Sequence, residues 1–203
     1  MKLYITSGSP YARMARIVVI EKGLENRVEI IAAQTRLADS PYYKINSSGR
    51  VPYLIRDDGV GLEESALVCA YLDHLDGKPV FDLPDGAQGW EARRLEALAR
   101  SMLDGLAVWG RELTRPQNER SPTVIEHETT RSERMADVWE REIDHPLMCG
   151  ALNIVQITLA CALGFEPRLP DFHWRQGHPK LCKWFGPIAA RPSLASTAPP
   201  SHQ

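Results

Sequence analysis

The sequence predicts two domains of different class, a small α/β domain followed by an all-α domain. Three observations point there. Short β and α signals alternate over residues 1–78. Residues 76–86, DGKPVFDLPDG, are dense in Gly, Pro and Asp and read as a connection. From there on, apolar residues recur with a helical period and strand signals stop. The expected division is a first domain over 1–78, a linker over 79–86 and a helical domain over 87–203.

Leu3 to Thr6 reads as a short strand, and Ser9-Pro10 then opens a helix, a serine N-cap with proline in the first turn. Tyr11, Ala15, Val18 and Val19 share one apolar stripe, and Gly23 stops the helix. Val28 to Ala33 is a second strand, and Ser40-Pro41 starts a helical turn ending near Asn46 and Gly49. Tyr53 to Arg56 and Val60 to Glu63 are strands joined by an Asp58-Gly59 turn. Ser65 is expected to cap a helix with Val68, Cys69, Leu72 and Leu75 on one face. The order is βαβ, then α, then ββα.

In the second domain, Leu95, Leu98, Ala99, Met102, Leu106 and Trp109 keep a 3.6-residue period. A proline-containing break at 114–122 precedes a charged helix carrying Met135, Val138 and Trp139. Asn153 to Leu163 is apolar almost all round, which implies a helix buried at a domain centre. Leu181, Trp184, Phe185 and Ile188 mark a last amphipathic helix, in which Gly186-Pro187 should cause a break or kink. The tail STAPPSHQ, 196–203, is expected to be disordered.

Composition narrows the function classes. A chain of 203 residues buries roughly 70% of its extended surface on folding, so no disulfide or metal staple is required. With 24 basic and 26 acidic residues well mixed, no footprint for nucleic acid is visible. No apolar run approaches the ~20 residues of a membrane span. The start, MKLYITSGSP, lacks the apolar core of a signal peptide, so a cytoplasmic protein is expected. Cys69, Cys149, Cys161 and Cys182 form no CxxC pair and read as reduced core thiols. His127-Glu128 resembles the start of a zinc helix, but Arg131 stands where the second His is needed, and no metal is expected.

One stretch resists this reading. In GRVPYL, Val51, Tyr53, Leu54 and Ile55 suit a buried strand, yet Pro52 sits among them and cannot donate to a ladder. Two readings fit the residues alone, a strand-initiating proline or a proline shaping a ligand site.

The stretches SPYARMARI, GRVPYL and DDGVGLEESALVCAYL resemble, in order and spacing, the N-terminal domain of cytosolic glutathione transferases. LNIVQITLACALGF and HPKLCKWFGPIAARPSL are similar to that family's buried core helix and last helix. The resemblance covers residues 1–194 and is to the bacterial, serine-type members, by their SPY, GRVP and ES motifs. It implies a thioredoxin-like domain with a cis proline at Pro52, fused to a helical domain. It also implies a homodimer, and glutathione as co-substrate.

In this resemblance Val51, beside Pro52, pairs with the cysteinyl unit of glutathione by main-chain hydrogen bonds, as an added strand. Glu64 takes the γ-glutamyl ammonium, and Ser65 with its helix N–H groups takes the neighbouring carboxylate. The plain reading of the same pair is an N-cap and a dipole-compatible charge. Arg50 is matched to the glycyl carboxylate; a solvated surface arginine is the alternative. Ser9 falls on the residue that donates to the thiol and lowers its pKa, with the helix N-terminus helping. A pure N-cap is the rival reading of Ser9, and Ser7 is a second candidate for the role. Tyr4 comes too early in its strand for a tyrosine-type site, and Tyr11 is placed in the electrophile pocket. No cysteine occurs in residues 1–68, which removes a mixed disulfide with an N-terminal cysteine.

The chain departs from the family's pattern at Asn46-Ser47, where Asn-Pro is frequent. It departs again at Asn153-Ile154-Val155-Gln156, a milder form of the usual Ser/Thr-x-x-Asp cap in which the Gln amide is expected to reach back. The expected function is transfer of glutathione as its thiolate onto a small electrophile, in detoxification. Two alternatives stand beside it: a glutathione-dependent peroxidase or disulfide reductase, and a non-catalytic binding or regulatory protein. The electrophile has no signature in the sequence.

Overall fold

The computed structural model describes residues 1–84 and 86–200, without the side chain of Gln88. The chain divides into two compact units, Met1–Asp82 and a second from Leu83 onward.

The first unit is a four-stranded sheet in the order β2-β1-β3-β4, formed by β1 (Lys2–Ile5), β2 (Glu29–Ala32), β3 (Tyr53–Ile55) and β4 (Gly61–Glu63). β2 runs parallel to β1, which requires a crossover, and α1 (Pro10–Glu21) supplies it. β3 runs antiparallel to both β1 and β4. The β3–β4 hairpin closes through Arg56 N–H to Val60 O (2.9 Å), and Asp58 Oδ1 accepts from Val60 N–H within the turn. α2 (Ser65–His74) packs beside α1. Ala12, Met14, Ile17 and Val18 of α1 and Val68, Cys69 and Leu72 of α2 join Leu3 and Leu54 in the core. Tyr11 is only half-buried, outside that set, and Leu75 is the C-cap of α2.

The stretch read as a linker is anchored at its near end. Asp73, at the end of α2, accepts from the Val80 and Phe81 N–H groups, and Phe81 is buried. Lys22 joins this clasp. Its side chain is 4% exposed and lies 3.2 Å from Asp73, which is 2% exposed, and 3.0 Å from Asp76.

The second unit is helical. α3 (Gly86–Leu113) packs against α4 (Pro122–Glu142) and α6 (Ile154–Leu163), with the short α5 (Pro146–Cys149) between the last two in sequence. Every residue of α6 from Val155 to Leu163 is buried, as its all-round apolar sequence requires. Asn153 caps it, its Oδ1 accepting from Val155 and Gln156 N–H. The Gln156 amide does not reach back to the cap; it donates instead to Leu147 O at 2.8 Å.

The end of the chain corrects three expectations. α7 (Pro179–Ala189) runs through Pro187 rather than breaking there. A lost amide so near a helix C-terminus removes one bond only, and the turn continues with Ala190 N–H on Gly186 O. A further helix, α8 (Pro192–Ser196), follows. The expected disorder from 196 does not hold at Ser196, which ends α8, or at Thr197, which is buried and donates to Ser193 O. Residues 201–203 of that tail lie outside the described residues. The cysteines are all free thiols, but only Cys69 and Cys161 are core; Cys149 is exposed and Cys182 half-buried. Among the described residues no helix is long and apolar enough to cross a membrane.

Candidate functional site at the N-terminal ends of two helices

The sheet register assembles the site. Tyr4 of β1 stands opposite Tyr53 of β3, so Pro52 and Val51 run back alongside Ile5 and the turn that leads to Ser9. Tyr53 in turn stands opposite Glu63 of β4, which brings Glu64 and Ser65 to the same end of the sheet. Both α1 and α2 begin there, so two sets of orphan N–H groups open at one place. Ser9, Val51, Pro52, Glu64 and Ser65 are thus brought together, with Tyr11 in the first turn of α1 and Arg50 on the adjoining loop.

Ser9 adopts the extended backbone of an N-cap, φ −82° and ψ 118°, and its Oγ accepts from Ala12 N–H at 3.2 Å. It is a cap, and the hydroxyl keeps its own proton for a second partner. The preceding turn closes through Ser9 N–H on Thr6 O, with Ser7 exposed at its corner.

The Val51–Pro52 peptide is cis. β3 lies between β1 and β4, where a proline would cost a ladder bond, and Pro52 sits one residue before the ladder starts. Among the described residues no acceptor faces the Val51 N–H.

Ser65 is the first residue of α2 and is buried; the N-cap is Glu64, not Ser65 as expected. Glu64 holds φ 78° and ψ 122°, a conformation uncommon for a residue with a side chain. Its Oε1 accepts from Ser65 N–H (2.9 Å) and Ser65 Oγ (3.2 Å), so an exposed carboxylate covers the helix N-terminus itself. The register around a capping serine is readable from sequence, but a glutamate in the left-handed region is not.

The loop before Val51 carries residues that the motifs do not single out. Ser40 caps a 3₁₀ turn, Pro41–Lys44, and Gly49 follows at φ +65°, where a Cβ would stand 2.5 Å from Tyr43 Cε1. Asn46 Oδ1 accepts from Ser48 N–H, while Ser48 Oγ accepts from Arg50 N–H and donates to Glu63 Oε2 at 2.6 Å. Tyr42 Oη and Asn46 Nδ2 both donate to Arg50 O, at 2.6 and 3.0 Å. Burial pushes the Tyr42 phenol above its usual range, with the Asn46 hydrogen bond acting against this, so it remains a donor at neutral pH. The Arg50 side chain is exposed. Asn46 marks the end of a helical turn in the sequence; only the fold shows that Tyr42 converges with it on one carbonyl.

Four strands in this order and sense, with a cis-proline at the end where two helices start, define a thioredoxin-like unit, here followed by a helical one. Residues 8–75 match the family Glutathione S-transferase, N-terminal domain. A glutathione transferase family member of Pseudomonas fluorescens Pf-5, solved with bound glutathione, is 33% identical over 98% of this chain and 98% of that one, with a TM-score of 0.86. The same protein solved with S-(propanoic acid)-glutathione gives a TM-score of 0.84 and is covered completely, at 100%. The GST-like protein YibF of Escherichia coli (strain K12) is 29% identical over 98% of this chain and 99% of its own length. Glutaredoxin 2 of Escherichia coli (strain K12) is 37% identical, but over 40% of this chain and 36% of its own. The chain belongs to the glutathione transferase family.

Proposed function

We propose that the protein binds glutathione at this end of the sheet and activates its thiol as a thiolate for transfer to a small electrophile. The observation that carries the reading is the convergence of a helix-capping hydroxyl at Ser9, a main-chain donor at Val51 and a charged helix N-terminus at Glu64-Ser65. The glutathione bound by the Pseudomonas relative supports it.

In this reading the cysteinyl main chain pairs with Val51 beside Pro52, and Arg50 meets the glycyl carboxylate. The γ-glutamyl carboxylate displaces Glu64 Oε1 from the Ser65 N–H and hydroxyl, and the released Glu64 carboxylate takes the ammonium beside it. Ser9 Oγ stays on Ala12 N–H and turns its proton to the sulfur, while the α1 N-terminus favours the anion. An ordinary thiol titrates near 8.5 and is only a few per cent ionised at neutral pH. Tyr11 belongs to the electrophile side. The protein works in the cytoplasm as a homodimer, for which the exposed Leu67 on α2 and Trp90 on α3 supply apolar surface. The part-length similarity to Glutaredoxin 2 favours disulfide reduction as a second reading. Against it, the first cysteine of the chain is the buried Cys69 in α2, so no protein thiol is available at the position of Ser9.

An ultraviolet difference titration of bound glutathione against pH tests the reading, because the thiolate absorbs and the thiol does not. The expected result is a bound-thiol pKa one to two units below the ordinary ~8.5, raised again in Ser9→Ala. Binding with no shift overturns thiolate activation. A shift unchanged in Ser9→Ala removes Ser9 from the role.

A further inference from the structure

Two buried side chains of the first unit have no part in the chemistry above. Tyr42 is 3% exposed and Asn46 5%. Asn46 N–H bonds Tyr42 O, one helical turn back, so the two side chains stand on one face of the turn. Burying a phenol and a carboxamide is costly unless each is satisfied, and both spend a donor on the same atom, Arg50 O. The phenol is fixed by its ring, which packs on Tyr4 at 5.5 Å between centroids, and the amide by its bond from Ser48 N–H.

The consequence follows from peptide geometry. Arg50 O and the Val51 N–H belong to one peptide unit, which is planar and trans, so fixing the carbonyl toward the interior turns the N–H the opposite way. Nothing among the described residues accepts from that N–H. Resting on the glutathione reading, we infer that Tyr42 and Asn46 are positioning residues that aim the Val51 N–H at the cysteinyl carbonyl of the ligand. They act through the backbone and touch no ligand atom. Their contribution is a donor held in place before binding, so that no loop ordering is needed at that step.

Isothermal titration with glutathione tests this on wild type, Tyr42→Phe, Asn46→Ala and the double variant. Tyr42→Phe removes one oxygen and keeps the ring against Tyr4, so it is the variant least able to disturb the fold. A parallel titration uses γ-glutamylethylamide, which keeps the γ-glutamyl ammonium and carboxylate but has no cysteinyl carbonyl. The expected result is affinity for glutathione about fivefold weaker in each single variant and about twentyfold in the double, with γ-glutamylethylamide unaffected. Equal weakening of both ligands would mean general distortion of the unit and overturns the inference. Unchanged glutathione affinity in the double variant, with Glu64→Ala still defective, overturns it while leaving the glutathione site intact. Absence of glutathione binding by wild type removes the site and the inference together, and that result precedes any variant.

Discussion

At Glu64 a strained backbone and a helix cap are set against each other. It holds φ 78° with a Cβ, a conformation that costs on the order of 1 kcal/mol or more and is tolerated where surroundings demand it. Its carboxylate partly offsets this by capping α2 through Ser65 N–H. Two substitutions separate the terms. Glu64→Ala removes the carboxylate and keeps the strained Cβ; Glu64→Gly removes both. Urea unfolding should therefore find Glu64→Gly about 1 kcal/mol more stable than Glu64→Ala. Both variants should lose glutathione affinity to a similar degree. Equal stabilities would show that the backbone there is not strained, and intact affinity would remove Glu64 from the site.

Among the elements, α6 depends on one residue at its start. Asn153 Oδ1 caps two N–H groups, and its Nδ2 donates to Leu147 O at 2.7 Å, joining α5 to the start of α6. Asn153→Ala should cost about 1–2 kcal/mol in chemical denaturation, with glutathione affinity unchanged. The clasp at the other end of α1 has a pH signature. Burial pushes the Lys22 ammonium down, but its hydrogen bonds to Asp76 and Asp73 outweigh this and raise it above 10.5. Its contribution is complete below that value and is lost as pH rises through the higher folded pKa. Asp76 is held below 3.8, first by the Lys78 N–H and then by Lys22. That contribution is present above 3.8 and is lost as pH falls through the lower folded pKa. Lys22→Met should flatten both limbs of the stability-against-pH curve relative to wild type. Element positions were legible in the sequence because period and caps are local properties: Ser9-Pro10, Ser40-Pro41 and the apolar run to Leu163 each name their own structure. Pro187 misled because its cost depends on how much helix remains after it, and the Asp73 clasp was invisible because its partners are made by the fold.

For the molecule as a whole, the order of motifs identified the class, while residues outside the motifs hold part of the candidate site in place. Val51-Pro52 raised a question in the sequence, while Tyr42, which with Asn46 holds the neighbouring peptide, raised none. On the proposed function, activity at this scale is a matter of linkage between proton and ligand. If the site favours the thiolate, the complex binds fewer protons than free glutathione, so apparent affinity must rise with pH from the bound-thiol pKa up to ~8.5 and then level off. An S-alkylated glutathione has no thiol proton, and the groups assigned to recognition do not include the sulfur; the Pseudomonas relative binds one such conjugate. Thermal protection measured over this range should therefore climb with pH for glutathione and stay level for the conjugate. Ser9→Ala should flatten the glutathione curve toward the conjugate's without lowering the conjugate's own protection. Parallel curves for the two ligands in wild type would leave a binding protein with no thiolate chemistry, because every other group at the site serves both ligands alike.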